Sequence, residues 1–210
     1  MHVPSHFLET DQAQLQQYIR DYGFGLLILA DAEGIEANHV PFHLAPSEDG
    51  SPGVLQCHLA RSNPAWQRLE TGARVLAVFQ GPDAYVSPSW YATKAETGKV
   101  VPTWNYLAVH AEGQARVIQD PEWLQRHLNQ LTNQHEAERT EPWSVADAPE
   151  DYIERMMQGL VGIEIRIDKL TGKLKASQNQ PERNREGVKA GLEERDQSGD
   201  RAMASLVGRR

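Results

Sequence analysis

One cysteine in 210 residues leaves no partner for an intrachain disulfide and no thiolate cluster for a metal. Cys57 sits in the apolar run VLQCHLA and reads as a core thiol, in keeping with a reducing compartment. No stretch of about 20 apolar residues is present to cross a bilayer. The opening MHVPSHFLETDQAQ lacks the basic region and apolar run of a secretory signal, so the expectation is a cytoplasmic protein without membrane contact. Gly-rich phosphate loops of the Walker or dinucleotide type are missing, and any nucleotide must be held another way. No Ser lies in a Gly-x-Ser-x-Gly elbow, which removes that route to hydrolase chemistry.

Positive charge is also in deficit. Lys and Arg number 21 against 29 Asp and Glu, a formal net charge of -8, which argues against a generic attraction to nucleic acid. The imbalance is uneven along the chain. From Glu136 to Glu154 Arg139 is the sole base among acidic side chains, whereas from Arg166 to Arg195 Lys169, Lys173, Lys175, Arg183, Arg185 and Lys189 reverse the balance. Two readings fit: two solvated faces, or a basic segment that touches phosphate.

What is present is enough for one substantial domain with a core of its own. ETDQAQLQQYIRDY starts at Thr10 or Asp11 as a cap and puts Leu15, Tyr18, Ile19 and Tyr22 on one helical face. The runs Leu26 to Leu29 and Ile35 to Leu44, either side of a turn at Asp31 to Gly34, predict a hairpin. VLQCHLA is a third strand, and Pro64 opens a short helix capped by Ser62 or Asn63. ARVLAVFQG, apolar at nearly every position, predicts a strand covered on both faces. NYLAVHAEGQARVIQ reads as one long strand or a pair bent at Gly113. DPEWLQRHLNQLTNQ is the clearest helix, with Asp120 as cap, Pro121 in the first turn and a stripe of Leu124, Leu128 and Leu131. PEDYIERMMQGL gives another helix, VGIEIRID a half-buried strand turning at KLTGKLK, and the end from Pro181 one helix and a frayed polar tail over 193–210. Strands outnumber helices and neighbours are joined by short turns. The fold class is therefore mainly β with peripheral helices (α+β), an antiparallel barrel or sheet.

Three places could carry chemistry. His39 and His43 are four apart, but Pro41 between them excludes the helical zinc arrangement, and no acidic partner accompanies them. HLARSNP brings Arg61, Ser62, Asn63 and a helix start to one point; it is either a capped helix or a phosphate site. YVSPSWYATKAETGKVVPTWNY, broken by Pro88, Gly98 and Pro102, concentrates Tyr85, Trp90, Tyr91, Trp104 and Tyr106 in what reads as a loop. Those aromatics either plug a barrel end or form a dimer seam, or they wall a planar ring to which Thr103 and Asn105 donate and accept hydrogen bonds.

HVPSHFLETD, EANHVPFHL, HLARSNPAW, VLAVFQGPDAYVSPSWY, KVVPTWNY, PWSVADAP and VGIEIRIDKLTGKLKASQNQ occur in this order over roughly residues 1–192. Together they resemble the PaiB-type family of FMN-binding negative transcriptional regulators. The resemblance implies a split β-barrel like that of the pyridoxamine-phosphate oxidase superfamily, a homodimer, and FMN in clefts at the interface. It implies the phosphate near Arg61, Ser62 and Asn63, the ring along Asn38, His39 and Val40, a closing wall from the partner subunit at Trp104, Asn105 and Tyr106, and His58 as a further cofactor-binding residue. Lys175, Gln178 and Asn179 are implied as further polar contacts. The activity stays open between a regulator acting through DNA or a protein partner and an FMN-dependent oxidoreductase using NAD(P)H; heme binding is a weaker third reading. No helix-turn-helix is visible.

Overall fold

The computed structural model describes residues 1–47, 51–70 and 72–209. Its strands are β1 (Leu8–Glu9), β2 (Phe24–Asp31), β3 (Gly34–Pro41), β4 (His43–Ala45), β5 (Val54–Ala60), β6 (Arg74–Val86), β7 (Thr103–Ile118) and β8 (Leu160–Lys175). Its helices are α1 (Gln12–Asp21), α2 (Ala65–Leu69), α3 (Lys94–Thr97), α4 (Pro121–Glu136), α5 (Glu150–Gln158), α6 (Glu182–Arg195) and α7 (Asp200–Leu206). The chain gathers into two compact units. One, here the barrel unit, comprises Gln16–Phe79 and His110–Leu170; the other, the cleft unit, comprises Met1–Leu15, Gln80–Val109 and Thr171–Arg210.

In the barrel unit the hairpin forms where the sequence predicts it, with Asp31 opposite Gly34 and Phe24 opposite Pro41. Strand order is β3-β2-β6-β7-β8-β5-β4. The two ends of that order, β3 and β4, are consecutive in sequence with only Phe42 between them. A path of strands whose edges are joined by one residue must curl until those edges meet, which is barrel geometry. Phe42 makes the corner: its N–H donates to the Gly23 carbonyl at 2.8 Å, and its buried ring meets Phe79 edge-on at 5.2 Å between centroids.

The interior follows from the two-residue pleat. Leu55, Cys57 and Leu59 of β5 and Val161, Ile163, Ile165 and Ile167 of β8 are buried, each aliphatic side chain contributing about 1.5–3 kcal/mol by removal from water. Along β6 Val75, Ala77 and Phe79 are buried, while Leu76 and Val78 are only half-buried. The strand is therefore fully covered on one face and not on both, as its composition had implied. β7 is one unbroken strand through Gly113, where a Cβ would collide with the Arg166 backbone carbonyl. The glycine there permits close strand approach. Helix α4 begins as expected, Asp120 accepting from the Glu122 N–H at 3.1 Å.

The cleft unit holds three departures from the sequence reading. β8 continues to Lys175 instead of turning at KLTGKLK, and β1 pairs with it, Leu8 opposite Lys173 and Glu9 opposite Gly172. The segment expected to fray carries α7, whose Met203, Ala204 and Leu206 are buried. The aromatic stretch is mostly ordered structure: Pro88–Trp90 is a 3-10 turn in which Ser87 accepts from the Ser89 N–H, and β7 starts at Thr103, ahead of the strand expected from Asn105, so that Trp104 belongs to it. Trp90 packs on α6, where any side chain at Gly191 would enter its indole ring, and the Arg195 guanidinium lies 5.1 Å from that ring. Arg195 in turn pairs with the buried Asp200 at 2.5 Å, tying α6 to α7.

Candidate functional site

The residues implicated by sequence fall into two groups, one in each unit. In the barrel unit the pleat of β3 divides Asn38, His39 and Val40. Val40 is buried and Asn38 half-buried, whereas His39 faces out and stacks on the exposed Phe24 ring at 6.2 Å. Asn63 Nδ2 donates to Asn38 Oδ1 at 2.7 Å, and Asn63 Oδ1 accepts from the Ala65 N–H at 3.0 Å, capping α2. Asn63 is thus the cap the sequence offered, and it also joins α2 to β3. Ser62 is exposed.

Arg61 is engaged with the chain's own acceptors. Its Nε donates to the Gln158 carbonyl at 2.9 Å, Nη1 to Gln119 Oε1 at 2.9 Å and Nη2 to the Leu160 carbonyl at 3.0 Å. The guanidinium pins the end of β5 to the segment between α5 and β8. A cleft of about 430 Å³ that Arg61 helps to line is bounded by Pro121, Leu124 and Met157 and by the polar Gln119, Gln158 and Glu154.

His58 faces α4. Its Nδ1 lies 3.1 Å from His127 Nε2, so one ring donates and the other accepts. The Trp123 ring lies nearly parallel to His127 at 5.1 Å between centroids, while its Nε1 donates to Glu164 Oε1 at 2.8 Å. His127 is 1 % exposed. Burial, aided by the neighbouring His58, lowers its pKa to about 3, and burial also lowers that of His58. Sequence reasoning missed His127. The signal was its place between Leu124 and Leu131 on the apolar face of α4.

His39 and His43 lie on different strands, and His43 Nδ1 is 3.0 Å from Gln134 Oε1. Among the described residues no group of three or more His, Cys, Asp or Glu side chains is arranged for a metal. A cleft of about 770 Å³ in the barrel unit is lined by Gln114, Arg116, Glu164 and Arg166, of which only Arg166, the start of the basic run, figured in the sequence reading.

In the cleft unit the pleat of β7 turns Asn105 to the inside with Leu107 and sends Trp104 and Tyr106 to the other face. Trp104 is 54 % exposed and meets Tyr85 edge-on at 6.1 Å. Lys173 Nζ stands 5.1 Å from the Tyr106 ring centre. Asn105, fully buried, donates from Nδ2 to Ser177 Oγ at 2.9 Å, and the Ser177 hydroxyl lies 3.3 Å from Asn105 Oδ1. Ser177 is held at φ 58°, the left-handed region that non-glycine residues seldom occupy. Lys175 Nζ donates to Thr103 Oγ1, and burial lowers the pKa of that ammonium.

Asn105, Lys175 and Asn179 line one cleft of about 320 Å³, together with Thr103 and Ser177. Gln178 turns back on its own strand, its Oε1 accepting from the Ala176 N–H at 2.7 Å and its Nε2 donating to the Leu174 carbonyl at 2.5 Å. Ser177 was missed by sequence reasoning, although it lies inside the KASQNQ run that drew attention to its neighbours.

Comparison with known proteins identifies the family. The family described as "Putative FMN-binding domain" matches residues 1–169. An uncharacterized protein of Emericella nidulans is 36% identical over an alignment covering 100% of this chain and 97% of that protein. The protease synthase and sporulation protein PAI 2 of Bacillus subtilis is 29% identical over 99% of this chain and 96% of its own length. Among solved structures, the FAD and heme binding protein of Mycobacterium smegmatis superposes with a TM-score of 0.59 at 16% identity, covering 80% of this chain and 73% of that one. The fold is the antiparallel split barrel expected from the sequence, and the chain belongs to the FMN-binding family of PaiB type.

Proposed function

We infer that this chain binds FMN as a homodimer and serves as a PaiB-type regulator in the cytoplasm. The observation that carries the flavin reading is the cleft around buried Asn105 and Ser177 with half-buried Lys175, in a chain of an FMN-binding family. A flavin nucleotide offers a phosphate, ribityl hydroxyls and a ring edged with donors and acceptors. Amides, hydroxyls and an ammonium match those groups, and their burial keeps them positioned before the ligand arrives.

Bound FMN supplies electron-transfer capacity, while the protein binds and orients it. Lys175 holds negative charge, and the Asn105–Ser177 pair fixes the cleft wall. In the homodimer the partner subunit closes the site with its exposed aromatic face at Trp104. The dimer reading is supported by that exposed Trp104 and by Tyr85 beside it, since aromatic residues are enriched at interfaces.

The regulatory reading is supported by the full-length similarity to PAI 2. With a net charge of -8, contact with transcription runs through a protein partner or a locally basic surface. Quenching of FMN fluorescence on titration with the purified chain tests the cofactor, and light scattering tests the dimer. Absence of saturable quenching contradicts the first, and a monomer mass contradicts the second. Unchanged transcript levels on deletion contradict the regulator; NADPH oxidation well above that of free FMN would support the oxidoreductase reading instead.

A further inference from the structure

We propose that the stretch between α4 and β8 is a docking surface for a Lys- and Arg-rich amphipathic segment of a partner protein, anchored on Tyr152 and Met156 of α5; this rests on the regulatory reading above, to which it adds the chemistry of the partner.

The surface begins with a helix that its own fold leaves uncovered. Helices α1, α4 and α6 each bury side chains, Ile19, Leu131 and Leu192 among them, whereas none of the nine residues of α5 is buried. A helix that short does not persist in water by propensity alone, so α5 depends on its apolar stripe. Ile153 and Met157 are half-buried, and Met157 shares a cleft with Leu124 and Pro121 at the start of α4. Tyr152 and Met156, four apart and therefore one above the other on the helix, stay 48% and 53% exposed. Ahead of them every residue from Ala137 to Trp143 is exposed, Trp143 itself at 46%. Interface centres favour Tyr, Trp and Met, and Met adapts to partners of different shape.

Charge decides what can cover this face. From Glu136 to Gln158 seven carboxylates stand against Arg139 and Arg155, so more than half of the chain's net charge of -8 falls in this stretch. Both bases are already answered, Arg139 by Glu136 at 3.1 Å and Arg155 by Asp151 at 2.7 Å. Glu138, Glu141, Glu150 and Glu154 make no ion pair among the described residues. A nucleic acid is repelled by such a surface. So is an anionic bilayer, which attracts helices with Lys and Arg on the polar face. A second copy meeting this face symmetrically would set the same carboxylates against each other. A basic amphipathic segment gains from them instead: its Lys and Arg side chains meet the carboxylates while its apolar side chains cover Tyr152 and Met156.

The test titrates the full chain into a fluorescently labelled peptide of Lys and Leu, with Leu at helical spacing, and follows anisotropy. Saturable binding is expected, weakened about tenfold in Tyr152→Ser/Met156→Ser, severalfold in Glu150→Gln/Glu154→Gln, and progressively by added salt. The counterpart peptide with Glu in place of each Lys is expected not to bind. All four positions lie on the surface, and circular dichroism reports that the variants are folded; if Tyr152→Ser/Met156→Ser fails to fold, Glu150→Gln/Glu154→Gln is read in its place. Absence of saturable binding by the Lys and Leu peptide overturns the proposal. Equal binding by the wild type and Tyr152→Ser/Met156→Ser also overturns it, because net charge alone then accounts for the binding. So does a selective loss on Phe24→Ser/Ile35→Ser, two exposed apolar side chains of the β2–β3 hairpin. A wild-type dimer that Tyr152→Ser/Met156→Ser converts to monomer in light scattering overturns it too, since a second copy then covers the face. Transcript levels on deletion are read separately: changed transcripts without peptide binding keep the regulator and remove this surface, and peptide binding with unchanged transcripts keeps the surface and removes the regulator.

Discussion

Asn105 and Ser177, 72 residues apart in sequence, close a buried amide–hydroxyl pair with Nδ2 and Oγ 2.9 Å apart. The pair joins β7 to the end of β8 and forms the floor of the cleft unit's polar pocket. Replacing Asn105 by Ala leaves the Ser177 hydroxyl buried without its partner, a loss of about 1–3 kcal/mol. Urea unfolding is expected to show that loss, and FMN titration of the same variant a weaker complex. An unchanged midpoint would mean that the pair does not hold the floor.

The His58–His127 pair sets a pH dependence. An unfolded histidine takes up a proton near pH 6.5, whereas folded His127 stays neutral to about pH 3. Between those values the unfolded chain binds more protons, so stability falls as pH falls. The rings face His43 from β4 and Glu164 from β8, and Glu164 is itself paired with Arg116. Glu164 has a lowered pKa, so its contribution is present above the usual carboxylate range and lost as pH falls below that range, overlapping the acid end of the histidine window. Denaturant midpoints are expected to drop from pH 7 to pH 5, and His127→Gln to flatten that slope. The buried His127 Nδ1, Gln56 Oε1 and Gln134 Nε2, which lack protein partners, make this layer the least satisfied of the described residues and the first expected to open in acid. A slope unchanged in His127→Gln would contradict this.

Packing in the cleft unit predicts a steric effect at α6. Gly191 faces the Trp90 indole with no room for a Cβ, so Gly191→Leu is expected to destabilise by about 1–3 kcal/mol through overpacking. In a Trp90→Ala background the same change is expected to cost less. Simple additivity across that double-mutant cycle would place the strain elsewhere.

Cys57 is fully buried, and burial pushes its thiol pKa up. Thiol-reactive dye is expected to label it only after unfolding. Rapid labelling of the native chain would show an opening of β5 that the barrel does not contain.

The outline of the fold was legible wherever local chemistry and tertiary structure agree. The β2–β3 hairpin is marked by its turn at Asp31 to Gly34, and α4 by Asp120 and Pro121. Strand β8 was cut short because Thr171-Gly172 has turn composition; in the structure β1 pairs alongside and the Leu15 side chain lies against Gly172, a long-range contact that composition does not carry. Helix α7 was hidden because its buried Met203, Ala204 and Leu206 lie among polar neighbours. At the site, residue types were legible and directions were not. Trp104, Asn105 and Tyr106 read as one wall, and the pleat of β7 separates them. Nothing in HLARSNP announces that Gln158 and Leu160, about a hundred residues later, present carbonyls to Arg61.

The dimer reading has its own test. Exposed Trp104 is expected to lie in the seam, so Trp104→Asp should shift the mass in light scattering from dimer toward monomer. A dimer untouched by that charge would move the seam to another face.

Equilibrium dialysis of the full chain against FMN addresses the central claim most directly. The account predicts saturation at one FMN per chain, with the yellow flavin absorbance retained by the protein. A chain that stays colourless at saturating FMN contradicts it.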